Sequence, residues 1–273
     1  WVYMVKGGKK SSLEEGGILW EKNGYRHLFH TRLCSTEENE YKQTEAIFEN
    51  YGHMLNGHGC RMSDHTIRTW IYVQGIDLHY QGMVKARKEY FDRCGLTEQT
   101  HYIASTGIEG SYIHPRHLVS MDAYAVRGIA SEQIKYLYAS DHMSPTYIYG
   151  VTFERGTAVC YGDRKHAFIS GTASIDHEGE ILFPHQIKKQ GERVLENIEA
   201  LLREAGGRIS DIAQLVIYLR HPADYQTIYD FMTFILPDLP KIIVAAPVCR
   251  PGWLVEMECI ALIPNGNQPY EPF

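Results

Sequence analysis

An internal repeat constrains the fold of this chain more than any other feature of its sequence. Three short segments of the first half recur in the same order in the second half, about 140 residues later. The matches are 26–31 (RHLFHT) with 165–170 (KHAFIS), 48–50 and 63–64 with 195–197 and 210–211, and 119–126 (VSMDAYAV) with 255–262 (VEMECIAL). We therefore predict that one fold occurs twice, with loop insertions that change the offset.

Hydrophobic periodicity predicts the same elements in both halves. The segments of the second half are a strand around Phe168, a helix at 186–205, a strand at 212–219, a helix at 223–236, and strands at 242–247 and 254–263. We expect the last two strands to form a hairpin across Pro251-Gly252. The corresponding segments of the first half are a helix at 37–56, a strand at 66–73, a helix at 80–94 and a strand at 118–126.

Helices that alternate with a mixed sheet indicate an α+β fold in which the helices pack on one face of the sheet. Each half is predicted to be a β-β-α-β-α-β unit. We predict an N-terminal unit at 13–126, a linker at 127–144 and a C-terminal unit at 145–265.

Charge and composition exclude several classes of function. The chain has 27 basic and 33 acidic residues, a net charge of −6, so it lacks the basic character of a nucleic-acid or anionic-membrane binder. An anionic ligand must therefore be held by a few placed cations. Apolar runs are far shorter than the roughly 20 residues of a membrane span, and no secretory signal opens the chain. We expect a soluble, cytoplasmic protein that continues before Trp1, because the sequence does not begin with Met.

The cysteines and the short motifs give no sign of a metal or cofactor. The six cysteines are scattered without a C-x-x-C pair, so neither a zinc site nor a disulfide framework is expected. No G-x-G-x-x-G or Walker motif occurs. We expect free thiols, no metal and no nucleotide cofactor.

Function should concentrate where the two copies differ, because both copies share the same packing demands. The clearest difference is Glu256, whose counterpart in the first half is Ser120. Side chains alternate along a strand, so Glu256 and Glu258 lie on one face. If the other unit covers that face, one of the two carboxyl groups has a raised pKa and can serve as a general acid. The alternative is that both are solvated and paired with lysine or arginine.

Other segments are candidates for ligand binding. Arg250 lies in a turn bounded by proline and glycine, which suits capture of a carboxylate, although an ordinary surface ion pair is the alternative. Cys249 has no histidine nearby in the sequence, so we do not expect a nucleophile there. The small-residue turns at 170–174 (SGTAS) and 105–108 (STGI) either offer backbone N–H groups to an oxyanion or are plain loops.

Three segments of the second half resemble the RidA/YjgF superfamily, which includes enamine/imine deaminases and the endoribonuclease L-PSP proteins. They are 168–173 (FISGTA), 195–202 (LENIEALL) and 255–261 (VEMECIA). The resemblance covers 144–262 and implies a chorismate-mutase-like fold, normally trimeric with pockets between subunits. Rid deaminases usually carry a carboxylate-binding arginine in the strand before the last one. An ungapped match puts Val248 at that position, and Arg250 follows in the turn.

Motifs from both halves together resemble the chorismatases, Rid-related enzymes of two units that cleave the enolpyruvyl ether of chorismate and release pyruvate. These motifs are 68–72 (RTWIY), 80–91 with Arg87, 105–108 (STGI), 144–147 (SPTY), 170–175 (SGTASI) and 246–251 (APVCRP). The resemblance implies that Glu256 protonates the enolpyruvyl methylene, giving an oxocarbenium ion that collapses to pyruvate and a ring product.

The same resemblance implies the remaining site residues. Arg250 and Arg87 would bind the two carboxylates of the substrate, and Cys249 and Ala173 would line the pocket. The other substrate-binding candidates are Gly171, Thr172, Ser105, Thr106 and Tyr149, the last of which stands where the family commonly has an arginine. The implied partner is a small carboxylic acid, with no cofactor, in a monomer with an intramolecular pocket or a homotrimer. A Rid-type deaminase and a non-catalytic acid-binding protein are the alternatives.

Overall fold

The computed structural model describes residues 5–13, 16–111, 114–266 and 269–273, so Trp1 lies outside the described residues. Within them the chain forms two mixed sheets of six strands each. The strand orders are β1-β2-β3-β6-β4-β5 and β7-β8-β9-β12-β10-β11, so both sheets have the same topology. We call residues 9–127 the first unit and residues 134–264 the second unit.

The strands and the long helices follow one another in the same order in both units, and the first unit has one more short helix. Those of the first unit are β1 (Lys9–Ser12), β2 (Ile18–Lys22), β3 (Tyr25–Cys34), α1 (Glu40–Gly57), α2 (Met62–His65), β4 (Thr66–Val73), α3 (Ile76–Arg93), β5 (Ala104–Glu109) and β6 (Val119–Arg127). Those of the second unit are β7 (Ile134–Leu137), β8 (Gly156–Cys160), β9 (Arg164–Ala173), α4 (Ile187–Glu204), β10 (Ile212–Leu219), α5 (Tyr225–Ile235), β11 (Lys241–Ala245) and β12 (Val255–Pro264). The predicted α+β fold of two tandem units is confirmed, and each unit has two strands more than the predicted β-β-α-β-α-β order.

The strand register confirms the sequence repeat residue by residue. Leu28 pairs with Ala125 in the first unit, and the matched Ala167 pairs with Ala261 in the second. Tyr72 likewise pairs with Ser120, and Tyr218 pairs with Glu256. Ser120 and Glu256 therefore occupy equivalent positions of the fold.

The structure corrects the predicted hairpin between the last two strands. β11 pairs in parallel with β10, whereas β12 pairs antiparallel along the other side of β10. Pro251 and Gly252 therefore lie in a connection that crosses β10. Residues 127–144, predicted as a linker, contain β7, which pairs with β8 at the edge of the second sheet.

Helices cover one face of each sheet. In α4, Val194, Ile198, Leu201 and Leu202 are fully buried at helical spacing, and each such side chain contributes roughly 1.5–3 kcal/mol through burial. The opposite faces of the two sheets pack on each other, with the rings of Tyr124 and Phe168 5.4 Å apart. Among the described residues, no helix has the length and apolar character needed to cross a membrane.

The C-terminal residues contact both units. The ring of Phe273 lies 5.1 Å from the ring of Trp20 in the first unit and 4.2 Å from that of His166 in the second. The carbonyl of Glu271 accepts hydrogen bonds from the Tyr25 hydroxyl at 3.1 Å and from the Gly162 amide at 2.9 Å. This segment therefore helps to hold the two sheets together.

Candidate active site

A cavity that is partly open to solvent lies between the two units. One wall comes from α3 and β5 of the first unit. The other comes from β9, the start of β12 and the connection before it, and from the residues that precede β8. A ligand in this cavity would touch both units of one chain.

The structure brings together all but one of the predicted site residues. Those lining the cavity are Arg87, Ser105, Thr106, Tyr149, Gly171, Ala173, Cys249, Arg250 and Glu256. Thr172 does not line it. Its side chain is buried and its hydroxyl donates to the Ser170 carbonyl at 2.8 Å. Alternation along β9 directs it away from the face that Gly171 and Ala173 present.

The structure corrects the predicted oxyanion turns. Residues 170–173 belong to β9, and residues 105–108 belong to β5. The Gly171 amide donates to the Thr106 hydroxyl at 2.9 Å, so it is already paired. The two small-residue segments therefore allow two strands from different units to approach closely.

Glu256 is a buried carboxyl group in the cavity wall, with 4% of the residue exposed. None of the hydrogen bonds found among the described residues reaches its carboxyl oxygens. Burial raises the pKa of Glu256 to about 8, the negative charge of Glu258 adds to this shift, and Arg68 and Arg155 oppose it. The group is therefore mostly protonated at neutral pH, which is the state that a general acid needs.

Glu258 lies on the same face of β12 but in a different environment. Its Oε1 accepts hydrogen bonds from Trp70 Nε1 at 2.9 Å and from the Tyr218 hydroxyl at 3.1 Å. Its Oε2 accepts from Arg68 Nη2 at 2.6 Å and from the Thr106 hydroxyl. Four donors can stabilise an ionised carboxylate here, so the two glutamates that share one face of the strand lie in different electrostatic environments.

Arg87 supplies a cation from the first unit. It lies on α3 with 1% exposed, and its Nε donates to the Thr152 hydroxyl at 3.2 Å. Its Nη2 is buried and has no hydrogen-bond partner among the described residues. Burial lowers the pKa of Arg87 from its usual value, although an arginine stays charged in proteins. A buried N–H without a partner is unfavourable, so the site favours an anionic ligand.

Two further arginines lie around Tyr149. The guanidinium carbon of Arg250 is 4.7 Å from the centre of the Tyr149 ring, and that of Arg155 is 5.4 Å from it. Arg155 also donates to the Ser144 carbonyl through Nη2 at 2.8 Å. Arg155, the first arginine after Arg127, is not among the residues predicted from the sequence. Tyr80 and Trp253, which line the cavity with Cys249 and Arg250, are not among them either.

Cys249 remains an uncharged thiol. Burial raises the pKa of Cys249 to about 12, and Glu256 adds to the shift. The Tyr80 hydroxyl faces this thiol, and burial holds the pKa of Tyr80 well above its usual value. The surroundings of Cys249 therefore fit the expectation that it lines the site without acting as a nucleophile.

Comparisons with known proteins agree with this architecture. The family model described as Endoribonuclease L-PSP matches residues 157–263. A RutC family protein of Pyrococcus abyssi is 33% identical over 96 residues, which are 34% of this chain and 76% of that protein. The residues that the family model matches lie in the second half of the chain.

Solved structures extend the similarity to both units. The crystal structure of a chorismatase superimposes with a TM-score of 0.75 over 93% of this chain and 79% of its own, at 20% identity. A RidA protein from the Antarctic bacterium Psychrobacter sp. covers 47% of this chain and 99% of its own, at 25% identity and a TM-score of 0.39. The expected relation to the RidA superfamily and to the chorismatase fold is confirmed.

Proposed function

This chain belongs to the RutC family, and from that premise we propose that its cavity binds chorismate or a related enolpyruvyl acid and cleaves the enolpyruvyl ether. The products would be pyruvate and a hydroxybenzoate or a dihydroxycyclohexadiene carboxylate. The chorismatase-like arrangement of the two units supports this substrate class. We propose that one chain suffices, because both walls of the cavity come from it.

The observation that carries the proposal is the burial of the Glu256 carboxyl group in the wall of a cavity lined by arginines. Cleavage of an enol ether begins with proton transfer to carbon, which needs an acid whose pKa lies near the working pH. The substrate carries two carboxylates, and Arg87, Arg155 and Arg250 provide cations on different sides of the cavity. A protein of net charge −6 needs such local cations to hold a dianion.

The cleavage would proceed through protonation of the substrate, addition of water and breakage of the ether bond. Glu256 donates its proton to the methylene carbon, which leaves an oxocarbenium ion and a Glu256 carboxylate. Water adds to the cationic carbon and returns a proton to that carboxylate. The bond between the hemiketal carbon and the ring oxygen then breaks, and the hemiketal hydroxyl proton passes to the ring oxygen, which yields pyruvate and the dihydroxycyclohexadiene carboxylate. A hydroxybenzoate would form only if this ring acid then lost one molecule of water. The nearby arginines offset the charge of the carboxylate that forms on Glu256.

The direct test follows pyruvate release from chorismate with a lactate dehydrogenase coupled assay, and identifies the ring product by chromatography. We expect Glu256→Gln to lower turnover at least about a hundredfold, because an amide cannot donate the proton. Glu192→Gln, an exposed position on α4, is the matched control and should keep the wild-type rate. Wild-type rates in Glu256→Gln would remove Glu256 from the mechanism, and no pyruvate from folded wild-type protein would refute the reaction.

Rid-type hydrolysis of imines is the second candidate, because Arg250 brings a cation into the cavity although it lies in the turn and not in the preceding strand. Its guanidinium lies in the cavity wall between Tyr149 and Trp253, 5.1 Å from the Trp253 ring centre, where it can bind one carboxylate. Acceleration of 2-iminopropionate hydrolysis without pyruvate release from chorismate would select this activity. Binding of either acid without turnover would indicate a non-catalytic protein.

A further inference from the structure

The two glutamates of β12 differ in their contact with Arg68. Arg68 lies on β4 of the first unit with its side chain 2% exposed, and its Nη2 is 2.6 Å from Glu258 Oε2. Its Nη1 donates to the Ser170 hydroxyl at 3.2 Å, and its guanidinium carbon is 5.0 Å from the centre of the Trp70 ring. The Arg68 guanidinium is therefore held in place by contacts with Glu258, Ser170 and Trp70.

The fixed geometry keeps a cation close to Glu256 without an ion pair between them. Arg68 still acts on Glu256 through its field, in the direction that favours the ionised form. Glu258 acts in the opposite direction and more strongly. Together the two charges of the Arg68–Glu258 pair thus favour the neutral form of Glu256. Arg68 without Glu258 would favour the ionised form, and Glu258 without Arg68 would favour the neutral form more strongly.

We propose that Arg68 and Glu258 are positioning residues that together keep Glu256 a carboxylic acid, because Glu258 holds the charge of Arg68 in a closed ion pair. This inference rests on the proposed role of Glu256 as general acid. It adds that the acid depends on both units, since Arg68, Trp70 and Thr106 of the first unit hold the Glu258 carboxylate of the second.

Thr106 extends the same network to the reacting group. Its hydroxyl donates to Glu258 and accepts from the Gly171 amide at 2.9 Å. A Cβ built on Gly171 would overlap Glu256 Oε1, so the Gly171 backbone is in close contact with the Glu256 carboxyl. The contacts from Glu258 through Thr106 to Gly171 therefore also position the Glu256 carboxyl group.

Other titratable and charged groups face Glu256 from every element packed around it. They are Tyr80 and Arg87 on α3, Arg155 before β8, Tyr218 on β10, Cys249 and Arg250 before β12, and the Arg68–Glu258 pair. Tyr80, Cys249 and Tyr218 have raised pKa values and stay neutral near pH 7.

The test is the pH dependence of kcat/KM for pyruvate release. In Glu258→Gln the unpaired Arg68 charge favours the Glu256 carboxylate, so we expect the alkaline limb to move by at least about one unit towards acid pH. The double variant Arg68→Met/Glu258→Gln removes both charges, and its limb should return to within about half a unit of the wild type. Tyr218→Phe removes one donor to Glu258 but no charge and should leave the limb in place. The proposal would be overturned if the alkaline limb of the kcat/KM profile did not move in folded Glu258→Gln. It would also be overturned if the limb moved in Glu258→Gln but did not return in the double variant.

A second measurement needs neither turnover nor a folded Glu258 variant. Infrared spectra of the wild-type protein at pH 7 should show the carbonyl band of a buried protonated carboxylic acid, and Glu256→Gln should lose it. Persistence of that band in Glu256→Gln would mean that the neutral carboxyl lies elsewhere, which would contradict the proposal. Because the band does not depend on chorismate, its presence without pyruvate release would refute the proposed reaction and leave the positioning role intact.

Discussion

The buried carboxyl group of Glu256 couples folding to pH. Its pKa of about 8 in the folded chain lies above the usual value of 4.5, so it contributes stability at low pH that is lost as the pH rises through 8. Between pH 5 and pH 9 we expect the wild type to lose about 4 kcal/mol of unfolding free energy relative to Glu256→Gln. Urea unfolding of both proteins at both pH values measures this difference.

The comparison with Glu256→Gln cancels the other buried titratable groups. His27 and His166 are buried, and burial lowers the pKa of each to about 3. They contribute stability above the ordinary histidine pKa that is lost as the pH falls towards 3, equally in both proteins. A pH-independent difference between wild type and variant would contradict the raised pKa of Glu256.

The Glu256 carboxyl group leaves no room for a side chain at position 171. A Cβ at Gly171 would overlap Glu256 Oε1 and lie 3.1 Å from the Thr106 methyl carbon. We expect Gly171→Ala to displace the carboxyl and to lower kcat at least about tenfold, because small shifts of a catalytic group are costly. The matched control is Gly57→Ala, since a Cβ on Gly57 meets nothing within 4 Å. Equal activities of the two variants would show that the contact does not matter.

The resemblance to the chorismatases supplied most of the residues that line the site, whereas the acid itself could be predicted from a contrast between the two copies. Glu256 was found because its counterpart Ser120 lacks a carboxyl group, and the shared face of Glu256 and Glu258 followed from strand alternation. The ion pair of Glu258 could not be predicted, because Arg68 is 190 residues away and reaches it only after the units pack. Arg155 has no pattern that separates it from a surface arginine.

At the scale of elements, α4 shapes the cavity through one polar contact. Asn197 is buried, and its Nδ2 donates to the carbonyls of Ala173 at 3.2 Å and Ile175 at 3.1 Å, which tie the end of β9 to the helix. We expect Asn197→Ala to lower the unfolding free energy by about 1–3 kcal/mol, because two carbonyls each lose a buried donor, although Ile175 keeps a hydrogen bond from Arg193 Nε at 3.3 Å. Thermal or urea unfolding measures this.

The repeat supplies the control for that prediction. Asn50 occupies the position of Asn197 in the first unit and is exposed. Asn50→Ala should therefore change the unfolding free energy by no more than about 0.5 kcal/mol. Similar losses in the two variants would mean that the contact of Asn197 with β9 contributes nothing specific.

Periodicity predicted single elements better than their pairing. The predicted strands at 66–73 and 212–219 coincide with β4 and β10, and the helix predicted at 186–205 matches α4 to within a residue at each end. Each of these has a continuous apolar pattern and a clear end. The predicted hairpin was wrong because β11 and β12, although adjacent in the sequence, pair with β10 and not with each other. Which neighbour a central strand takes depends on contacts across the sheet, and local residues do not encode that choice.

At the scale of the whole molecule, the cavity between the units predicts how activity depends on dilution. Both walls belong to one chain, so their association is intramolecular and has an effective concentration set by the connection between them. We expect specific activity to stay constant as the protein is diluted from micromolar to nanomolar concentrations. Progress curves at a range of enzyme concentrations measure this, and a steep loss on dilution would require a site completed by another chain.

The placement of the two walls in different stretches of one chain also affects how the protein can change over evolutionary time. In an assembly of identical subunits, every mutation alters both walls of each site together. In this chain a substitution on α3 changes one wall and a substitution near the start of β12 changes the other. Duplication of the unit therefore lets selection reshape the two sides of the cavity independently, and one copy could lose its carboxyl group while the other kept it.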